Sequence, residues 1–362
     1  MRGKEAKSMP EVSIIVPVYN KAEHLKRGVQ SLLDQKLRDI EVILINDGST
    51  DSSLEILTQF QAADERVILI DQANGGVSRA SNAGLQAATG TFIGFMDPDD
   101  WVEPDMYRSM LRTARRTEAE VCLCNYFFER DARRDPVTLE GLPEILEVDQ
   151  IRSELILNML SADPRQPYKK EIMGSVFRLL IQKDYLVKRA LPFRPGLAYM
   201  EDLVFTVSLL ADAEKAAIDQ GVHYHYRVQE GSASKKFIPG LFDALLEIMM
   251  LLEQSLKKAG IFEYSRSRLE HRMLFNAVRA IINEVHDENP ASREEAIQEI
   301  RRIITSPQLL AVIPKLDQRF LPDFRRKALQ HIQTGSADAL YDYFKENRNT
   351  LDPVSDLKKT QV

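Results

Sequence analysis

Four short apolar runs constrain the first third of this chain more than any other feature. Each ends abruptly in a polar or glycine turn, and each is followed by a helix-spaced segment. Val12–Val18 (VSIIVPV), Glu41–Asn46 (EVILIN), Val67–Ile70 and Phe92–Met96 have the β-branched, apolar density of buried parallel strands. Between them apolar residues return at helical spacing: Leu25, Val29, Leu32 and Leu33, then Leu54 and Leu57, then the small-residue stretch Ser78–Ala88. A helix to about Arg116 and a strand at Glu120–Phe128 continue the pattern. Alternation of this kind over roughly 125 residues predicts an α/β fold with an open, doubly wound, mostly parallel sheet. Right-handed crossovers put the strand ends on one rim. The tips Tyr19-Asn20, Asp47-Gly48, Asn74-Gly75-Gly76 and Asp97–Asp100 are therefore expected to converge there.

Beyond this block the signal changes. Arg130–Leu146 is charged, contains proline and reads as a surface excursion; a helix is expected from about Asp149 to Leu160. After the loop SADPRQPYKKE come an apolar stretch at Ser175–Leu180, a helix near Lys183–Arg189 and a helix at Leu203–Leu210 that follows Glu201-Asp202. Ala216–Ile218 and Val222–Tyr226 look like two paired strands, and Arg227–Ser234 (RVQEGSAS) like a glycine-serine loop. From Pro239 onward the pattern is helical almost throughout. The organisation read from this is a flexible N-terminus (1–10), a sheet-based domain (11–237), an all-α C-terminal domain (238–350) and a disordered tail (351–362). Excess apolar stripes on the helical part would serve self-association into a homo-oligomer.

A net charge of −6 provides no basic field for nucleic acid, so that class is set aside. Cys122 and Cys124 lie two apart in an apolar run and are expected to pack as small hydrophobes in a reducing compartment. No apolar run approaches the roughly 20 residues of a membrane span, and the start MRGKEAKSMPE lacks an apolar signal core. A cytoplasmic protein is expected, at most peripheral at the inner face of the membrane.

The chemistry begins where Phe92–Met96 runs into Asp97-Pro98-Asp99-Asp100. Carboxylates crowded at one strand end repel one another unless a cation neutralises them, and the carboxyl ends of parallel strands are where such sheets bind ligands. Hard oxygen donors suit Mg²⁺ or Mn²⁺, which share coordination with phosphate oxygens, so the stretch reads as a site for a metal-bound diphosphate. The competing reading is an acidic cap for the helix that follows. Asp47 could accept from a base N–H with Tyr19 offering a flat face beside it, or be a turn aspartate with an Asx-type bond. Asn74-Gly75-Gly76 directs backbone N–H groups near a helix start, a general anion site, with Arg79 either a surface charge or a phosphate contact above it. His223, His225 and Arg227 alternate on one strand and should face one way. Trp101, directly after the aspartates, fits a wall of this site or a place in the core.

Read in order, SIIVPVYNKAEHLKRGVQSLLDQ, EVILINDGSTDSSLEIL, NGGVSRASNAGLQAATGTFIGFMDPDD and MEDLVF resemble the family 2 glycosyltransferases, nucleotide-sugar enzymes of the GT-A fold. The resemblance is dense over Val12–Tyr107 and thinner to Ser234. It implies an inverting transferase that moves a sugar from a nucleoside diphosphate, UDP favoured, onto a hydroxyl of a surface polysaccharide, teichoic acid or glycolipid. By resemblance, the backbone near Pro17 lines the base pocket with Tyr19 and Asn20, and Asp47 contacts the base. Asp97 would lie near the ribose and the metal, and Asp99 would be the ligand of Mn²⁺ or Mg²⁺. Pro98 stands where serine or alanine is commoner. Asp202, paired with Glu201, is the expected base, and a carboxylate in the first turn of a helix should stay ionised. Arg227 and Ser232 would close over the diphosphate, and a histidine, His223 or His225, would either complete the metal shell or be structural. The alternative from another class is a non-catalytic nucleotide-sugar-binding or scaffold protein that works through its helical domain.

Overall fold

The computed structural model describes residues 9–130, 133–162, 171–197, 199–228, 236–321 and 323–347. It falls into two compact units. The described residues of Met1–Ile151 and Gly174–Gln229 form the first, and those of Arg152–Met173 and Glu230–Val362 the second.

The first unit begins with β1 (Val12–Val18), α1 (Ala22–Leu33), β2 (Ile40–Asp47), α2 (Ser53–Ala63), β3 (Val67–Gln72), α3 (Val77–Ala87) and β4 (Phe92–Phe95). It continues through β5 (Trp101–Val102), α4 (Met106–Thr117), β6 (Val121–Arg130), β7 (Arg133–Val137), β8 (Ile145–Glu147) and the single turn α5 (Val148–Gln150). The sheet order is β3-β2-β1-β4-β9-β6-β10-β5, with β9 at Leu179–Gln182 and β10 at Lys215–Arg227; β7 adds to β6 and β8 to β10. The long ladders, β1 with β2, β2 with β3 and β6 with β10, are parallel, as is β1 with β4. β9 runs antiparallel between β4 and β6. β2 is buried at every position, which is why its centre, Val42–Ile45, is an unbroken apolar run. Because β1 to β4 all point the same way, Tyr19, Asp47, the Asn74–Gly76 turn and Asp97 do gather at one rim.

Lys215–Arg227 is a single strand rather than two paired ones, and a register shift between Asp219 and Tyr224 takes up the extra residues. Asp219-Gln220-Gly221 looks like a hairpin turn, but the Asp219 carboxylate accepts from Gly221 N, Ser109 Oγ and Thr113 Oγ1, which bolts a β-bulge onto α4. The excursion after Arg130 contributes β7 and β8 as edge strands. The helix expected at Asp149–Leu160 is present but widens into a π-turn at Ile151–Ile156 before α6 (Leu157–Leu160).

A single boundary at residue 238 does not describe the division. Residues 152–173 belong to the helical unit, where α6 packs against α10 (Phe262–Glu284). Arg268 Nη1 donates to Ser161 O at 2.8 Å, and Arg272 Nη1 meets Glu171 Oε1 at 2.8 Å. The first unit also holds α7 (Lys183–Arg189) and α8 (Glu201–Ala211), and the second α9 (Leu241–Lys258), α11 (Arg293–Ile304), α12 (Pro307–Val312), α13 (Asp323–Gln333) and α14 (Ala337–Asn347). Leu245, Ile248, Leu252, Ile281, Ile300, Leu340 and Phe344 form a core of its own for this unit. No helix among the described residues is long and apolar enough to cross a membrane. Residues 1–8 and the tail 351–362 lie outside the described residues.

Candidate active site

The acidic turn is held in place from three sides. Gly28 of α1 packs against it so closely that a β-carbon there would sit 2.7 Å from Asp100 O and 3.3 Å from Pro98 O. Tyr224 Oη donates to Asp100 Oδ2 at 2.7 Å and accepts from Asp97 N at 3.0 Å. The Arg227 N–H donates to the other Asp100 oxygen at 2.8 Å. Asp100 is buried, and burial with Asp97 and Asp99 nearby drives its carboxyl well above the usual range. The helix that follows starts only at Met106, beyond β5, with Asp105 at its N-cap position. Capping therefore does not account for Asp97 to Asp100.

Asp97 and Asp99 both remain partly open to solvent. Burial pushes Asp97 up to about 7, helped by the charges of Asp99 and Glu201 and opposed by Lys21. Asp99 Oδ2 meets Lys21 Nζ at 2.7 Å, so an ammonium already stands where a cation is wanted.

Glu201 and Asp202 open α8 behind Met200, which is in the left-handed region at φ 57°. Asp202 Oδ2 accepts from Val176 N at 3.2 Å. A place in the first helical turn favours the ionised carboxylate, as expected of a base, but its surroundings act the other way. Burial, Glu201 and Asp97 push Asp202 well above the usual range, and burial raises Glu201 as well. Desolvation among like charges outweighs the helix dipole. Asp97 thus feels the charges of both Asp99 and Glu201, and Asp202 those of Glu201 and Asp97, although the two pairs lie about a hundred positions apart in the chain.

At the tip of β1, Tyr19 is exposed (49%) and Pro17 half-buried. Asn20, at φ 51°, accepts through Oδ1 from Thr50 N (2.7 Å) and Asp51 N (3.3 Å), so its side chain ties the two tips together. Asp47 is buried and accepts from Gln72 Nε2 at 2.7 Å, Gly75 N at 3.0 Å and Gly76 N at 2.8 Å. None of these is a local Asx-type bond, since the partners lie 25, 28 and 29 positions away, and three of the carboxylate's roughly four acceptor directions are taken. Asn74 Nδ2 donates to Asp47 O, and the exposed Arg79 lies over Gly75, where a β-carbon would come 2.6 Å from its Cδ.

His225 is not a free metal ligand. Its Nδ1 meets Glu129 Oε1 at 2.7 Å and its Nε2 meets Glu103 Oε1 at 2.9 Å, while its ring is stacked between Trp101 and Phe127. The bulge also separates it from His223, which bonds to Asp219. Trp101 has His225 stacked at 4.8 Å and the Arg27 guanidinium 3.3 Å from its ring centre, so neither face is open to a sugar. Arg227 Nη1 contacts His24 Nδ1 at 2.9 Å. Ser232 lies outside the described residues.

Residues 13–177 match the glycosyl transferase family 2 profile. That stretch of the chain is similar to glycosyl transferase family 2. The match stops short of Glu201-Asp202. Among relatives, the uncharacterized glycosyltransferase EpsJ of Bacillus subtilis (strain 168) is 33% identical over 228 residues, covering 63% of this chain and 64% of that protein. The succinoglycan biosynthesis protein ExoO of Rhizobium meliloti (strain 1021) is 25% identical over 268 residues, covering 74% and 73%. The chain thus spans a little under two thirds of EpsJ. S. aureus TarS 1-349 in complex with UDP-GlcNAc superposes with a TM-score of 0.66 at 20% identity over 94% of this chain and 92% of that one, a likeness of fold.

The residues present fit a hard divalent ion: Asp97 and Asp99 offer oxygen donors, and an ammonium stands in for the cation. Among the described residues no three or more acidic, histidine or cysteine side chains are grouped so that they could hold a metal ion. Sequence reasoning missed Lys21 and Tyr224. Lys21 directly follows the Tyr19-Asn20 tip and was legible by position; Tyr224, paired with Asp100 from far along the chain, carried no local signal.

Proposed function

We propose that this chain transfers a sugar, with inversion, from a nucleoside diphosphate donor to an acceptor hydroxyl. The observation that carries this is the group of four carboxylates, Asp97, Asp99, Glu201 and Asp202, linked by their charges at the carboxyl rim of a domain similar to glycosyl transferase family 2. A UDP-sugar is the favoured donor: the TarS likeness supports the fold that would hold one, and Tyr19 offers a flat exposed ring for the base. A surface polysaccharide, teichoic acid or glycolipid is the acceptor class, which the ExoO relationship supports for polysaccharide.

Asp97 and Asp99 would hold Mn²⁺ or Mg²⁺. When bound, the ion supplies Lewis-acid stabilisation of the charge that gathers on the leaving diphosphate. Asp202 takes the proton from the acceptor hydroxyl, with Glu201 beside it. Its raised pKa makes it a stronger base than an ordinary carboxylate, and Val176 N–H fixes one of its oxygens so that the other is aimed. The Asp47–Gly75–Gly76 bracket presents the N-terminus of α3 and Arg79 to negative charge. Transfer measured with purified protein, UDP-sugars and Mn²⁺ tests this. Asp202→Asn should lower turnover by about 10²–10⁴ while UDP affinity is unchanged; turnover within a few fold of the parent would refute the assignment.

A further inference from the structure

Lys21 and Asp99 are both partly exposed, 31% and 19% at the side chain, yet they form a close pair at 2.7 Å. The backbone around the lysine is fixed on each side. Asn20 is locked in the left-handed region by Thr50 and Asp51, Lys21 N donates to Ser53 Oγ at 3.0 Å, and Ala22 N donates to Asp51 Oδ2 at 3.1 Å. Only the four-carbon stem can swing. The ammonium takes one Asp99 oxygen and holds a positive charge close to the other, so a divalent ion approaching that carboxylate is repelled. The two cations compete for one carboxylate.

We propose that Lys21 is the resident counter-ion of Asp99, which keeps a lone divalent ion off this carboxylate until a diphosphate arrives to receive the ammonium. This rests on the metal-bound diphosphate reading of the site. Its consequence is an order of loading: metal enters with the nucleotide, not ahead of it. In the loaded protein the same ammonium turns to phosphate oxygens, as lysine does elsewhere as a point charge.

Removing the charge should therefore have two effects of opposite sign. Lys21→Met is expected to bind Mn²⁺ alone about tenfold tighter than the parent and UDP about tenfold weaker, the scale of one partly screened charge at contact distance. Lys21→Arg should stay near the parent for Mn²⁺, and the gain of Lys21→Met should vanish in Lys21→Met/Asp99→Ala. Free Mn²⁺ is read by electron paramagnetic resonance, UDP by calorimetry, and Trp101 emission confirms that each variant is folded. If the parent takes up Mn²⁺ only with UDP and Lys21→Met takes it up alone, the inference stands. If the parent takes up Mn²⁺ with UDP but Lys21→Met gains nothing over it with Mn²⁺ alone, the inference is overturned and the site reading survives. If no protein takes up Mn²⁺ even with UDP, the site reading fails and the inference falls with it.

Discussion

Tyr224→Phe removes one oxygen and should loosen the whole acidic turn. That hydroxyl is buried, donates to Asp100 Oδ2 at 2.7 Å and accepts from Asp97 N at 3.0 Å. A hydrogen bond to a buried carboxylate contributes about 1.5–3 kcal/mol, and an amide left without its acceptor costs about 1–3 kcal/mol. The two losses share one atom and will not add fully, so about 3 kcal/mol is expected in total. Phenylalanine keeps the ring, so its stack on Phe177 at 4.2 Å is preserved and packing does not confuse the result. Trp101 is the only tryptophan in the chain and lies on β5 beside this turn, so its fluorescence in urea follows the unfolding of this unit alone. The midpoint should fall by about 1 M at an unchanged slope. A shift corresponding to less than about 0.5 kcal/mol would mean the hydroxyl does not brace the turn, and that the rigidity ascribed to the site has another source.

Two more substitutions probe the same scaffold. Gly28→Ala places a methyl 2.7 Å from a backbone carbonyl that cannot move without displacing Asp100; a loss of about 1–3 kcal/mol and weaker UDP binding in the presence of Mn²⁺ are expected, checked by urea unfolding and calorimetry. At Asp219, burial pushes the carboxyl up, but hydrogen bonds from His223, Ser109 and Gly221 N bring it down to about 2 from an ordinary 3.8. A pKa lowered in the folded state stabilises above the unfolded value, and that contribution is lost as pH falls from about 4 through 2. Asp219→Asn should therefore be about 2 kcal/mol less stable than the parent at pH 7, with the gap narrowing by pH 3, in paired urea titrations.

How much of this was legible depends on the range of the interaction. The strands β1 to β4 announce themselves locally because burial on both faces demands consecutive apolar residues, and their shared direction then places Tyr19, Asp47 and Asp97 on one rim without further information. What escaped is long-range. The bulge at Asp219 looks like a hairpin until Ser109 and Thr113 are known to lie beneath it, and the even spacing of His223 and His225 loses its meaning once that bulge intervenes. His225 resembles a metal ligand in the sequence because nothing nearby reveals that Glu103 and Glu129 take both its nitrogens. Asp202 was found by resemblance, but its raised pKa follows from burial and from Asp97, which no spacing rule brings together.

The account rests on Asp99 as the place where a divalent ion and the donor diphosphate meet. Calorimetric titration of UDP into the parent and into Asp99→Ala, each with Mn²⁺ and with chelator, tests this most directly. The account predicts that Mn²⁺ tightens UDP binding to the parent by about tenfold or more and that Asp99→Ala loses this gain while remaining folded. Equal UDP affinity in all four titrations would contradict it.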